Sequence, residues 1–378
     1  MFNLLYRFYY ENLKILQWIF NVIFISKKNT KRSIDRILLL YNLKFQPFSV
    51  GDLLLMQLAS LILLSQKKVK HIDLAIIYDA DNPTPSDKSF SSIDKNNFLY
   101  SVPAFLLTAQ VNSYLGSFHI FNNESDADKY IHDNLDYAYT WPTGFDYAVT
   151  QSYLYYKIFD DLIYPFYKDN GFIPELKNNN FFENWAHNFF KINCSGKIPI
   201  TVNIRNNPIF DLDRNSDLST WISFFKNCSE EFPSAFFIII CSVSEVDERL
   251  RRLPNILIAK DFGTQMQEEL SLIQCSAIHM GASSGPATIA WFGKKPYLIV
   301  KTTLQDQVFK HKDIVIKDDD ESMRFIFANR FQKFISGNET IEKLTNEFRL
   351  MFNKDSILEW KKTHQDSSDQ ANLNTWLK

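Results

Sequence analysis

The sequence predicts an α/β protein of two doubly wound, Rossmann-like domains preceded by an amphipathic helix. Three observations carry the prediction. Short apolar runs of strand length alternate with helix-length segments; the alternation occurs twice, on either side of the Asn- and Pro-containing stretch at 171–180; and 46% of the 378 residues are hydrophobic against 22% charged, enough to fill two cores. Strands covered on both faces of a parallel sheet read as continuous apolar runs, and that is the pattern here.

At the amino end, Asn3, Arg7, Glu11, Lys14, Gln17 and Asn21 share one face of a helix whose other face is Leu, Phe, Tyr, Trp and Ile. The charges interrupt the run too often for a spanning helix or a signal peptide. Lys27, Lys28, Lys31, Arg32 and Arg36 follow, so residues 1–36 suit the interface of an anionic membrane. The same pattern equally suits a helix docked on the protein's own surface.

Next come a strand at Arg36–Asn42, a buried helix running from Asp52, a strand at His71–Tyr78, a helix at Phe98–Gln110 and a strand at Ser117–Phe121. An aromatic loop at Tyr137–Tyr147 leads to a helix at Phe159–Tyr167. Aromatic faces stack on sugar rings, which makes the loop a candidate binding surface, although aromatics are 15% of the chain. The second domain reads as strand Ile198–Ile204, helix Leu218–Cys228, strand Phe236–Ser242, helix Gln265–Cys275, strand Ala277–Gly281, helix Pro286–Trp291 and strand Tyr297–Val300. Lys317–Ser322 (KDDDES) reads as a solvated helix start. The expected divisions are 1–30 for the amphipathic helix, 31–180 and 181–330 for the two domains, and 331–378 for C-terminal helices that pack back toward the first domain, with a polar tail. Open α/β sheets bind ligands at the carboxyl ends of their strands, so a ligand cleft is expected between the domains.

Composition excludes several functions. A net charge of -2 supplies no basic field for nucleic acid. Cys194, Cys228, Cys241 and Cys275 form no CxxC pair and lie in apolar or helical context, which favours reduced, buried thiols and a cytoplasmic setting. Asp79–Asp81 (DAD) has the form of a carboxylate metal motif, but its Asn-Pro-Thr-Pro continuation reads as an ordinary turn. No metal and no cofactor other than a substrate are expected.

The most informative stretch is Gly281–Val300 (GASSGPATIAWFGKKPYLIV). Ser283, Ser284 and Gly285 sit between a strand and a helix start, where small residues and backbone N–H groups admit a phosphate. Pro286 suits a first helical turn, and a serine-rich cap without a ligand would look the same.

This segment resembles the donor-binding segment of GT-B glycosyltransferases, in particular the bacterial heptosyltransferase type, and Phe48–Leu64 (FSVGDLLLMQLASLILL) is similar to their Gly-Asp loop and first helix. Ile200–Phe225 (ITVNIRNNPIFDLDRNSDLSTWISFF) resembles a group of uncharacterised bacterial glycosyltransferases, with an Arg after the strand and Arg-Asn-Ser before a Trp-bearing helix. The resemblance implies a sugar transferred from a nucleotide-diphosphate donor to a polysaccharide or lipid-linked acceptor, without metal, at the cytoplasmic side of the membrane. It implies Asp52 as the base, with Arg205, Ser283, Ser284, Gly285 and Thr288 binding the donor. Each has a plainer role open to it: Asp52 as a helix-dipole partner, Arg205 in a surface ion pair. Arg214 and Asn215 either reach the donor or help cap the helix at Leu218, for which Ser216 and Asp217 are good types. Gln305, Asp306 and Gln307 suit a sugar contact or a polar loop, and His279 reads as a core histidine. A nucleotide-sugar epimerase and a catalytically silent membrane-peripheral scaffold are the alternative functions.

Overall fold

The computed structural model describes residues 35–78 (without 45 and 47), 105–142 (without 134–136 and 138), 158–207, 212–302, 314–353 and 357. The amphipathic segment 1–30, the basic cluster before Arg36, Asp79–Asp81, Gln305–Gln307, the polar tail, and most of the aromatic loop and of the Phe98–Gln110 helix lie outside these residues. The chain divides into two compact units, Met1–Asn179 and Asn180–Lys378.

The first unit holds strands β1 (Arg36–Asn42), β2 (His71–Ile77), β3 (Leu115–Phe121) and β4 (Tyr139–Trp141), all parallel, in the order β3-β2-β1-β4. Helix α1 (Val50–Lys67) follows β1 and is buried from Gly51 to Leu64 except at Asp52. It is apolar and long enough to cross a membrane by composition, but this burial is that of a core helix. Helix α2 (Glu124–Asp133) begins where Asn123 Oδ1 accepts the Asp126 N–H at 2.8 Å. The sequence shows one helix over Phe159–Tyr167; the chain instead makes a π-helical turn, Ile158–Ile163, before α3 (Tyr164–Asn170). Asp73, the one buried charge among the described residues of this unit, is paired with Arg36 at 2.8 Å near the amino ends of β1 and β2.

In the second unit, β5 (Ile198–Asn203), β6 (Ala235–Ile240), β7 (Ile256–Ile258), β8 (Ile278–Ala282), β9 (Tyr297–Val300), β10 (Val315–Lys317), β11 (Ser322–Phe325) and β12 (Gln332–Ile335) form one sheet in the order β10-β11-β12-β9-β8-β5-β6-β7. From β7 through β12 the strands are parallel, the 3-2-1-4-5-6 order of a dinucleotide-binding sheet; β10 and β11 extend its edge antiparallel. Helices α4 (Asn180–Asn193), α5 (Leu218–Glu231) and α6 (Met266–Cys275) cover it. Phe224 and Phe225 of α5 pack on Phe237 of β6, and Trp221 packs on both of them, each fully buried and contributing about 1.5–3 kcal/mol.

Two expectations need correction here. Residues 331–353 are not all helical: β12 joins the second sheet, and α7 (Ile341–Met351) seats Phe348 on Phe224, Phe232 and Phe237 of the same unit. Apolar residues spaced for a helix had the same composition as a short strand plus a helix. Lys317–Ser322 is no helix start but the turn between β10 and β11, closed by Asp319, whose carboxylate accepts from the Glu321 and Ser322 N–H groups and the Ser322 hydroxyl. All four cysteines are buried and none is in a disulfide. Burial pushes the Cys194 and Cys241 thiols up to about 12, so they are inert near neutrality.

Candidate functional site

In a doubly wound sheet, ligands bind outside the carboxyl ends of the strands where the strand order reverses. In the second unit that point lies between β5 and β8. Asn203 ends β5, and Gly281, its register partner, lies in β8 with φ +136. A Cβ on Gly281 would stand 2.3 Å from the Asn203 carbonyl oxygen, so glycine is what lets the strands close here. Beyond them, the Ser284 hydroxyl donates to Asn203 Oδ1 at 2.6 Å, and the Ser283 N–H donates to Val300 C=O at 3.0 Å. A hydrogen-bonded serine turn thus spans the reversal point.

The expected helix after this turn is absent. Pro286–Ala290 is a 3₁₀ segment of five residues, with Ala287 and Thr288 N–H groups donating to Ser284 and Gly285 carbonyls at 3.2 Å. Gly293 to Pro296 then turn the chain into β9 before an α-helix can propagate. A helix dipole is therefore not what this turn offers an anion. Gly285 has φ −53 and makes no use of glycine's freedom, and Thr288 is buried.

Arg205 follows β5 at the same edge and is buried apart from 7% of its surface. Its Nη1 donates to Asn215 Oδ1 at 2.6 Å. Its backbone pairs with Ser216, N–H to Oγ at 3.1 Å and C=O from the Ser216 N–H at 2.8 Å. Asn215 is therefore a support for Arg205, while Arg214 ends a 3₁₀ turn, Leu212–Arg214. The cap of α5 is Asp217, which accepts from the Ser219 and Thr220 N–H groups; hydrogen bonds from their hydroxyls and amides hold its carboxyl below the usual range.

Two residues that the sequence reading passed over complete this edge. Lys301, immediately after β9, donates through Nζ to the Asn215 carbonyl and lies 3.6 Å from the carboxylate of the buried Glu339. A lysine at a strand's carboxyl end was visible in the sequence; Glu339, 38 positions later in the numbering, was not connected to it by any spacing.

The first unit places Asp52 in the first turn of α1, the helix that follows β1. Ser49 is the cap, accepting the Asp52 N–H at 3.5 Å, so Asp52 is not itself the capping residue. Its side chain is half-buried and near Tyr41, the penultimate residue of β1, whose phenol is held well above its ordinary pKa by burial and secondarily by the Asp52 charge. Asp52 thus lies by the carboxyl end of its sheet.

His279, in β8, is buried, with Nδ1 3.0 Å from the Thr201 hydroxyl and Nε2 meeting no partner among the described residues. Burial lowers its pKa to about 3. In the unfolded chain it titrates near 6.5, so between these values the unfolded state binds the extra proton. Stability is therefore expected to fall as pH drops below about 6.5, by about 1.4 kcal/mol per unit where the difference is fully developed. Urea unfolding of wild type and His279→Gln between pH 7 and 5 checks this: the variant should lose most of that slope, and an equal slope would refute it. Among the described residues no three His, Cys, Asp or Glu side chains converge as a metal site.

No family model matches the chain, and no curated protein does. Solved structures similar to it include glycosyltransferases. A glycosyl transferase family 9 protein from Veillonella parvula is 10% identical, with TM-score 0.42, over 89% of this chain and 98% of that one. The E. coli ADP-heptose LPS heptosyltransferase II is 12% identical, with TM-score 0.44, over 86% and 99%. POFUT1 in complex with GDP-fucose is 10% identical, with TM-score 0.31, over 70% and 98%. At these values the fold rests on the strand order described above.

Proposed function

We propose that the protein is a glycosyltransferase that passes a sugar from a nucleotide-diphosphate donor to a glycan or lipid-linked acceptor. The observation that carries this reading is the placement, at the β5/β8 reversal point, of the Arg205 guanidinium, held by Asn215, beside the Ser283–Ser284 turn. A guanidinium and hydroxyls at that point of a doubly wound sheet suit a diphosphate. In this reading Arg205 stabilises charge developing on the departing diphosphate, a role these side chains fill without calling on a metal. Asp52 takes the proton of the acceptor hydroxyl, which makes the reaction a direct displacement with inversion. The amphipathic pattern of residues 1–36 supports a protein peripheral to the inner face of the membrane, where lipid-linked acceptors are met.

The test is a thermal-shift screen against UDP, GDP, CMP, ADP and dTDP. A nucleotide at 100 times its dissociation constant adds about 2.7 kcal/mol of stability, a shift of several degrees. One nucleotide is expected to stabilise the wild type and to lose most of that effect in Arg205→Ala. Stabilisation by none of the five would favour the scaffold over the transferase.

A further inference from the structure

Glu339, in the loop between β12 and α7, has its side chain closed off from solvent. A buried carboxylate persists only when it is paired and hydrogen-bonded. Here Trp221 Nε1 donates to Oε1 at 2.8 Å, the Asp217 N–H donates to Oε2 at 2.6 Å, and Lys301 Nζ stands 3.6 Å from Oε2. Lys301 itself has φ +53, in the left-handed region that a lysine enters at a cost and a glycine enters freely. A lysine in that conformation points to a side chain whose contacts outweigh its backbone.

Those contacts lead to Arg205. The Lys301 ammonium donates to the Asn215 carbonyl. The Asn215 amide is fixed from the other side by Asn207, whose N–H donates to Oδ1 at 2.9 Å and whose carbonyl accepts from Nδ2 at 2.7 Å. The same Oδ1 accepts Arg205 Nη1 at 2.6 Å. One polar string therefore runs from the buried carboxylate, through Lys301 and Asn215, to the guanidinium at the sheet edge.

We propose that the Lys301–Glu339 pair is the positioning device of Arg205. Glu339 anchors the ammonium, the ammonium fixes the Asn215 backbone, and the Asn215 side chain aims the guanidinium. A strut that merely tied the loop before α7 to the start of α5 would make the same first contacts and leave Arg205 indifferent to their loss. The purpose of the device rests on the reading of Arg205 as a diphosphate contact; its existence does not.

The experiment is phenylglyoxal labelling of Arg205 in the full-length protein, read by peptide mass spectrometry, with inorganic pyrophosphate as the probe. Lys301→Met removes the ammonium, Lys301→Gly removes it while easing the backbone, and Lys301→Arg keeps a cation. Phe348→Leu loosens the aromatic core on α5 without touching the string. Arg205 is expected to label about fivefold faster or more in the Met and Gly variants, in keeping with the coupling of groups in one hydrogen-bonded network. It should label near the wild-type rate in Lys301→Arg and Phe348→Leu. Wild-type rates in Lys301→Met and Lys301→Gly, or an equal acceleration in Phe348→Leu, would overturn the proposal. Pyrophosphate should protect Arg205 in the wild type and much less in Lys301→Met. Absence of protection in the wild type counts against the diphosphate reading alone, and the labelling rates still decide the positioning.

Discussion

Gly281→Ala is expected to cost about 3–5 kcal/mol, as backbone strain and overpacking add at one position. With φ +136, the residue occupies a region that L side chains rarely adopt. An added Cβ would also meet three backbone atoms of Asn203, the oxygen at 2.3 Å, the nitrogen at 2.6 Å and the carbonyl carbon at 2.9 Å. Side chains can rotate away from such a contact, whereas a paired strand cannot without breaking its ladder. β5 and β8 would be wedged apart where Ser284 bridges to Asn203. Against a total stability of about 5–15 kcal/mol the loss is large. The melting temperature should fall by roughly 10 °C. Gly263→Ala separates the two causes: its φ is +74, but nothing lies within 4 Å of the new Cβ, so only the conformational cost of about 1–2 kcal/mol remains. Thermal melts followed by near-ultraviolet circular dichroism would show Gly281→Ala well below Gly263→Ala; coincident melts would mean that the strands part easily.

The sequence pattern disclosed those elements whose burial is continuous. β1, β2, β5, β6, β8 and β9 are apolar runs covered on both sides, and their positions were readable to within two residues or so. It missed α2, whose signal was the capping Asn123 before Glu124 and Asp126 and whose one buried residue is Ala127. It also missed β7, β10, β11 and β12, strands of three or four residues too short to establish a period. At the site, Arg205 and the serine turn were legible because they adjoin buried strands. The string from Glu339 to Arg205 was not, since it joins four segments brought together only by the sheet order. The helix assigned to Pro286–Trp291 failed for a related reason: a favourable start says nothing about whether enough chain follows before the next strand.

Asp52→Asn is expected to reduce sugar transfer by about 10²–10⁴-fold, the usual contribution of a positioned general base. The substitution keeps the shape and the hydrogen-bonding reach of the side chain and removes its basicity. Its other consequences are small. Ser49 still caps α1 through its hydroxyl, and losing a negative charge from the first turn costs about 0.3–1 kcal/mol of helix stability. On the proposed reading donor affinity should be retained, because Arg205 and the Ser283–Ser284 turn belong to the second unit. The two roles open to Asp52 therefore differ in magnitude. A dipole partner is worth at most about 1 kcal/mol, whereas a loss of 10²–10⁴ in rate corresponds to about 2.7–5.4 kcal/mol of transition-state stabilisation. Single-turnover transfer from the labelled sugar nucleotide selected by the thermal-shift screen, measured beside the melting temperature, resolves them. A near-normal melting point with turnover down at least a hundredfold assigns the base. A variant that keeps a tenth or more of the wild-type rate reduces Asp52 to a helix-dipole partner and moves the search for the base to other side chains at the carboxyl edge of the first sheet.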